Sequence, residues 1–154
     1  MKVNHWSGGV ALRKMGSSGI AVLLVCEPSE TDECKEGYRW SLPGGKCCDG
    51  SIIGGRMVNC CLETPEQTLV REVKEETGYD VVPGAIFERQ DKVDHKKFFF
   101  GLRKISGQQI QKPVPGGKVS PAWFPVNQMP RNLFPSHRRA IQKYVLALTA
   151  SGPR

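Results

Sequence analysis

No stretch of the 154 residues approaches the ~20 apolar residues that a membrane-spanning helix needs. The opening M-K-V-N-H-W-S-G-G-V lacks the apolar core of a secretion signal, so a cytoplasmic protein with no membrane partner is expected. In that compartment the six cysteines are expected to stay reduced rather than to form a disulfide framework. No two of them stand two residues apart, as a zinc knuckle prefers. Cys47-Cys48 and Cys60-Cys61 therefore read as free thiols, ahead of metal or disulfide. Acidic residues are absent beyond Asp94, where eleven Lys and Arg remain. Residues 1–83 carry 9 basic and 12 acidic side chains, a charge of −3; residues 84–154 carry 13 and 3, a charge of +10. A solvated surface normally mixes signs, so this bias implies an anionic partner: the phosphates of a small substrate, or RNA.

What is present centres on P-E-Q-T-L-V-R-E-V-K-E-E-T-G-Y, residues 65–79. Thr64 is a good N-cap, Pro65 suits the first helical position, and Gln67 completes a capping box. Gly78 stands where a left-handed C-terminal cap is wanted. Leu69, Val70 and Val73 supply an apolar stripe for docking the helix on a core. The other face carries Glu72, Glu75 and Glu76 at i, i+3 and i+4, so the three carboxylates share one side. Arg71 and Lys74 can offset part of their repulsion, and such a face is either merely solvated or a site for a hard divalent cation.

At 154 residues with 39% hydrophobic and 24% charged side chains, one domain spanning 1–154 is expected, with 151–154 a frayed tail. Residues 4–14 and Ile20–Cys26 read as strands, the second continuously apolar and so buried on both faces. Tyr38, Trp40 and Leu42 alternate with polar residues in a half-buried strand that enters Pro43-Gly44-Gly45. Those glycines let backbone approach a phosphate, and Lys46 adds a positive charge. Val81–Arg89 and Lys96–Ile105 are further strands, the latter holding Phe98-Phe99-Phe100. Gly107–Lys118 reads as a loop, and Val119–Val126 as an interrupted edge strand. Ser136 is expected to cap a helix ending near Ala150, with Ile141, Val145 and Leu148 inward and His137, Arg138, Arg139 and Lys143 outward. Trp6, Trp40 and Phe124 read as core aromatics before stacking platforms.

R-E-V-K-E-E-T-G-Y at 71–79, with Glu63 eight residues before Arg71, resembles the second half of the Nudix box, G-x5-E-x7-R-E-U-x-E-E-x-G-U with U bulky and apolar. Tyr79 replaces the last aliphatic residue. Trp40-Ser41-Leu42-Pro43-Gly44-Gly45-Lys46 resembles the strand end and glycine loop that open the box. Between Gly45 and Glu63 the family has five residues. Here Lys46–Gly50 stand for those five, and Ser51–Leu62 form a twelve-residue insertion whose Gly54-Gly55 suggests a β-hairpin. The resemblance implies an α/β (α+β) fold, an α/β/α sandwich with a mixed sheet between helices.

The resemblance also implies Mg²⁺-dependent hydrolysis, with Mn²⁺ as the alternative ion. The bond cleaved is the pyrophosphate of a nucleoside diphosphate linked to another moiety: a nucleoside triphosphate, nucleotide sugar, ADP-ribose or dinucleoside polyphosphate. Glu72, Glu75, Glu76 and the Gly45 carbonyl are then the metal ligands. Arg71 pairs with Glu63 to orient the helix, and Gly44, Gly45 and Lys46 meet the phosphates. Some relatives draw a general base from a glutamate in a late loop; with no acid after Asp94, a base is expected from the box helix instead. The competing reading is a catalytically inactive Nudix-fold nucleotide- or RNA-binding protein, and a homodimer is compatible with either.

Overall fold

The computed structural model describes residues 4–28, 37–47, 52–53, 56–57, 63–93, 95–114 and 117–150. In chain order the elements are β1 (Asn4–Val10), β2 (Leu12–Met15), β3 (Gly19–Pro28), β4 (Tyr38–Ser41), β5 (Gly44–Lys46), β6 (Ile52–Ile53), β7 (Arg56–Met57) and α1 (Pro65–Thr77). There follow β8 (Tyr79–Asp91), β9 (His95–Gly107), β10 (Lys112–Pro113), β11 (Val119–Ser120), β12 (Ala122–Pro125) and α2 (Pro135–Ala150). One four-stranded sheet has the order β5-β1-β9-β8, with β1 and β9 parallel and the other neighbours antiparallel. The second runs β12-β3-β2, with β4 also paired to β3. The expected first strand is broken at Ala11, and its two pieces serve different sheets. The Ala11 carbonyl accepts from Leu23 N at 3.2 Å, which fixes that crossing to the centre of β3.

Strand periodicity explains the Phe98-Phe99-Phe100 run. Alternate residues face opposite sides of a sheet. Phe100, with Phe98, meets Leu69, Val73 and Val81 under α1, while Phe99 faces the other core of Val10, Trp40, Leu42, Ala140 and Ile141 under α2. The mixed sheet therefore carries a helix on each face, as the fold class required. Ala21–Val25 in β3 are all buried, the outcome expected of a continuous apolar run. Trp40 is fully buried against Phe124 with ring centroids 4.7 Å apart, so both are core aromatics.

α1 is specified at both ends. Thr64 Oγ1 accepts from Gln67 N at 3.2 Å, and Gln67 Oε1 accepts from Thr64 N at 2.9 Å. A cap of this kind contributes about 1 kcal/mol. Gly78 at φ 83° donates from its N–H to Lys74 O at 2.9 Å, and Ile110 N satisfies the Thr77 carbonyl at 2.9 Å. Tyr79, the departure from the family pattern, donates its hydroxyl to Gln109 Oε1 at 3.0 Å. Trp123 Nε1 reaches the same oxygen at 3.2 Å, and Gln109 Nε2 donates to Pro121 O at 2.8 Å. An aliphatic residue would leave that junction between the sheets without its phenol. Val70 does not join the apolar stripe; it is 38% exposed, and Thr68 and Thr77 complete the buried face instead.

α2 also departs from expectation. It begins at Pro135, one residue ahead of the expected Ser136 cap. His137 faces inward at 3% exposure, on one stripe with Ala140 and Ile141, whereas Leu148 is 49% exposed. Residues 146–150 are all exposed, so the helix outruns the core that its first turns cover. Ile52–Ile53 pair antiparallel with Arg56–Met57. Cys47 is buried; Cys48, Cys60, Cys61 and residues 151–154 lie outside the described residues. The expected loop after Gly107 contains β10, which pairs with β11.

Two predictions follow from these anchors. A Cβ at residue 78 would face Gln108 O and lie 2.9 Å from Ile110 Cγ2, on a backbone at φ 83°. Gly78→Ala is therefore expected to cost about 1–3 kcal/mol in urea unfolding; a loss under about 0.5 kcal/mol would show that the loop yields. His137 Nδ1 accepts from Leu42 N at 3.0 Å, and burial, then the charge of Lys97, lowers its pKa to about 3. The native state therefore refuses a proton that the unfolded chain takes up below the ordinary value of 6.5. This contribution is whole above pH 6.5 and falls between there and about 3, approaching about 1.4 kcal/mol per pH unit. Urea midpoints from pH 7.5 to 5 are expected to drop, and His137→Gln, which keeps an acceptor without a titrating ring, to flatten that drop.

Candidate active site

β5 is the edge strand beside β1, with Gly44 opposite Gly8, Gly45 opposite Ser7 and Lys46 opposite Trp6. The glycine segment expected to be a loop is thus held straight by sheet pairing. A Cβ at Gly45 would lie 2.6 Å from both Glu72 carboxylate oxygens, so only glycine lets this backbone reach the helix so closely. Gly44 N donates to Glu76 Oε1 at 2.8 Å, a second tie between strand and helix.

Arg71 joins the remaining parts. Its Nε and Nη2 grip Glu63 Oε2 at 2.8 Å and Oε1 at 2.9 Å, a bidentate pair. Nη1 reaches Glu72 Oε1 at 2.9 Å and Glu75 Oε2 at 3.4 Å, while Nη2 also lies 3.3 Å from Lys46 O. The hydrogen bonds from Arg71 hold the Glu63 carboxyl below its ordinary range, and those of Glu63 hold the guanidinium charged. Glu63, Arg71, Glu72, Glu75, Glu76, Gly44, Gly45 and Lys46 are therefore brought together, although seventeen residues separate Gly45 from Glu63 in sequence. The chain leaves β5 and reaches α1 at pinned points: Cys47 N donates to His5 O at 2.9 Å, and Glu63 is held by Arg71.

The three helix carboxylates share a face but divide into two sets. Glu72 and Glu75 turn to Arg71, whereas Glu76 turns to Gly44 and to Glu27 at the end of β3. Burial, followed by the hydrogen bond and negative charge of Glu27, raises Glu76 to about 10. Two carboxyls in contact need a proton or a hard cation between them, and among the described residues neither has a Lys, Arg or His partner. Among those residues no three His, Cys, Asp or Glu side chains close on one point. The donor set nonetheless fits a hard divalent ion: carboxylate oxygens from Glu72, Glu75 and Glu76 beside a glycine backbone that nothing crowds aside.

Sequence reasoning missed two residues here. Glu27 belongs to a strand end 49 positions from Glu76, and only the register of β3 brings it over the helix; nothing local to Glu27 announced it. Lys97 stands opposite Trp6 in the same row as Lys46, its Nζ 5.3 Å from the Trp6 ring centroid. Burial, then the charges of Lys92 and Lys46, lowers its pKa. Beside Glu27 lies a cavity of about 490 Å³ lined by Cys26, Glu27, Tyr38, Lys112 and Val114, among others. Among the described residues no helix is long and apolar enough to cross a membrane.

A NUDIX domain model matches residues 4–144. A Bacillus subtilis protein assigned as an 8-oxo-dGTP diphosphatase is 28% identical over 109 residues, 68% of this chain and 62% of that protein. The match thus spans less than two thirds of that relative's length. Among solved structures, a MutT NUDIX hydrolase from Burkholderia pseudomallei superposes with a TM-score of 0.61 at 21% identity, covering 91% of this chain and 96% of the other. A Streptococcus suis ADP-ribose pyrophosphatase gives 0.58 at 22% identity, covering 98% and 93%. Those two similarities speak for the fold. The family match extends over nearly the whole chain and includes every residue of the clamp between Arg71, Glu63 and the glycine strand, so this chain belongs to the NUDIX domain family.

Proposed function

We propose that this chain is a single catalytic domain that hydrolyses a pyrophosphate bond in a nucleotide-type substrate with a divalent cation, Mg²⁺ or Mn²⁺. The observation that carries this reading is the union of an acidic helix face with a glycine backbone through Arg71 and Gly44. A pure binder of polyanions gains nothing from Glu72, Glu75 and Glu76 beside its phosphate-approaching strand. Those side chains and the Gly45 carbonyl would hold the cation, which would neutralise pyrophosphate oxygens and acidify an attacking water.

The chain's own groups then divide the work. Arg71 is fully engaged by Glu63, Glu72, Glu75 and Lys46 O, so it sets helix against strand rather than meeting substrate. Lys46 and Lys97 supply positive charge near Trp6 for an anionic group. Glu76 and Glu27 are the two carboxyls placed to exchange a proton with water, so the base need not come from the box helix alone. A cavity of about 490 Å³ beside Glu27 has room for part of a nucleotide. The names of the relatives, 8-oxo-dGTP diphosphatase and ADP-ribose pyrophosphatase, support the choice of nucleoside triphosphates and ADP-ribose as the first substrates to try.

The test is a panel of nucleoside triphosphates, oxidised triphosphates, ADP-ribose, nucleotide sugars and dinucleoside polyphosphates, assayed with Mg²⁺, with Mn²⁺ and with chelator. Cleavage of at least one member that stops with chelator is expected, and Glu76→Gln is expected to lower kcat by about 100-fold or more. Tight binding of a panel member without turnover would sink the hydrolase and leave a binding protein.

A further inference from the structure

Resting on the hydrolase reading, we propose that His5 and Thr68 are positioning residues that set the direction of the Glu63–Arg71 pair. His5 lies on the face of β1 that looks at α1 and is 7% exposed; Thr68 on α1 is fully buried. His5 Nε2 and Thr68 Oγ1 are 2.9 Å apart, and Thr68 Oγ1 is 3.4 Å from Glu63 Oε1. The ring of His5 is also held edge-on to Phe98, with centroids 6.1 Å apart.

Proton counting gives this chain one direction. A carboxylate only accepts, and the threonine hydroxyl has one proton to give. With that proton on Glu63 Oε1, His5 Nε2 must carry a hydrogen and donate it to Thr68. Imidazole, hydroxyl and carboxylate then line up as donor, relay and acceptor. Arg71 Nη2 meets the same Oε1 at 2.9 Å, while its Nε takes Oε2 at 2.8 Å. The two donors on Oε1 fix the rotation of the carboxylate. A fixed carboxylate plane fixes the guanidinium plane, and that leaves Nη1 pointing at Glu72 and Glu75.

The backbone of His5 serves the other half of the site. Its carbonyl accepts from Cys47 N at 2.9 Å, and its N–H lies 3.5 Å from Cys47 Sγ. One residue therefore holds the exit of the glycine strand by its backbone and the entry of the acidic helix by its side chain. A purely structural threonine would need none of this polarity, because Leu69 and Val73 already bury the helix face.

Thr68→Val removes the hydroxyl at nearly constant shape, and Thr68→Ser keeps it. Thr68→Val is expected to lower kcat about 10-fold with KM changed less than about 2-fold, and Thr68→Ser to stay within about 3-fold of the parent. In a Glu63→Ala background Thr68→Val is expected to add less than about 2-fold, because the relay has lost its acceptor. Hydrogen exchange of the Arg71 Nε–H, followed by NMR, is expected to quicken about 10-fold in Thr68→Val and not in Thr68→Ser. Equal kcat losses in the two backgrounds, or unchanged Arg71 exchange, would overturn the proposal. If the parent cleaves no panel member, the hydrolase reading fails on its own, and the exchange comparison, extended to His5→Phe, alone decides on His5 and Thr68.

Discussion

One guanidinium, that of Arg71, is what allows the three carboxylates of Glu63, Glu72 and Glu75 to crowd one side of α1 and the residue ahead of it. Lys74 cannot help, because its ammonium has gone to Gly78 O and to Asp80, each 3.2 Å away at the far end of the helix. The compensation near Glu63, Glu72 and Glu75 is therefore local and directional. A lysine could supply the charge but not the fork: Arg71 holds two oxygens of Glu63 in its plane and still has Nη1 for the acidic face. Its contact with Lys46 O extends the same group to the glycine strand. Loss of that group would release three like charges and the strand together.

This arrangement accommodates the seventeen residues that separate Gly45 from Glu63. The site depends on where the chain leaves β5 and where it enters α1, not on the length between. Both points are tied to β1 or to Arg71. Lengthening a surface loop costs only a logarithm of its length, about 0.6 kcal/mol per doubling, which a bidentate ion pair and three pairs of strand register can offset. The family spacing is thus one solution to a boundary condition, and this chain meets the same condition with twelve more residues.

Much of the helix was legible in the sequence because its signals are local. A cap, a proline, a left-handed glycine and a carboxylate spacing all act within a turn or two, and each is where it was expected. What was not legible depends on register between distant strands. Glu27, Lys97, His5 and Thr68 owe their roles to β3, β9 and β1 lying where they do over α1 and β5, and none carries a pattern of its own. The misreading of α2 has a different cause. In sequence His137 reads as polar and outward-facing, yet its ring packs on Trp6, Phe99 and Phe134 at 5.0–5.5 Å, and its one acceptor is spent on Leu42 N. Burial of a neutral imidazole is inexpensive when both faces are apolar and one nitrogen is satisfied.

The acidic face divides into two unequal halves. On the Arg71 side one guanidinium offsets part of the charge of Glu63, Glu72 and Glu75, so a net negative charge stays on that half as well. On the Glu76 side its largely buried carboxyl meets the exposed Glu27 carboxyl beside the Gly44 N–H. Charge there has to be balanced by a proton or by a hard cation. Across the sheet the imbalance has the opposite sign, with Lys46 and Lys97 flanking Trp6. A molecule that brings phosphate to the lysines and shares a cation with the carboxylates relieves both imbalances at once. A neutral ligand relieves neither. Under the proposed reaction this asymmetry, rather than any single contact, selects a pyrophosphate.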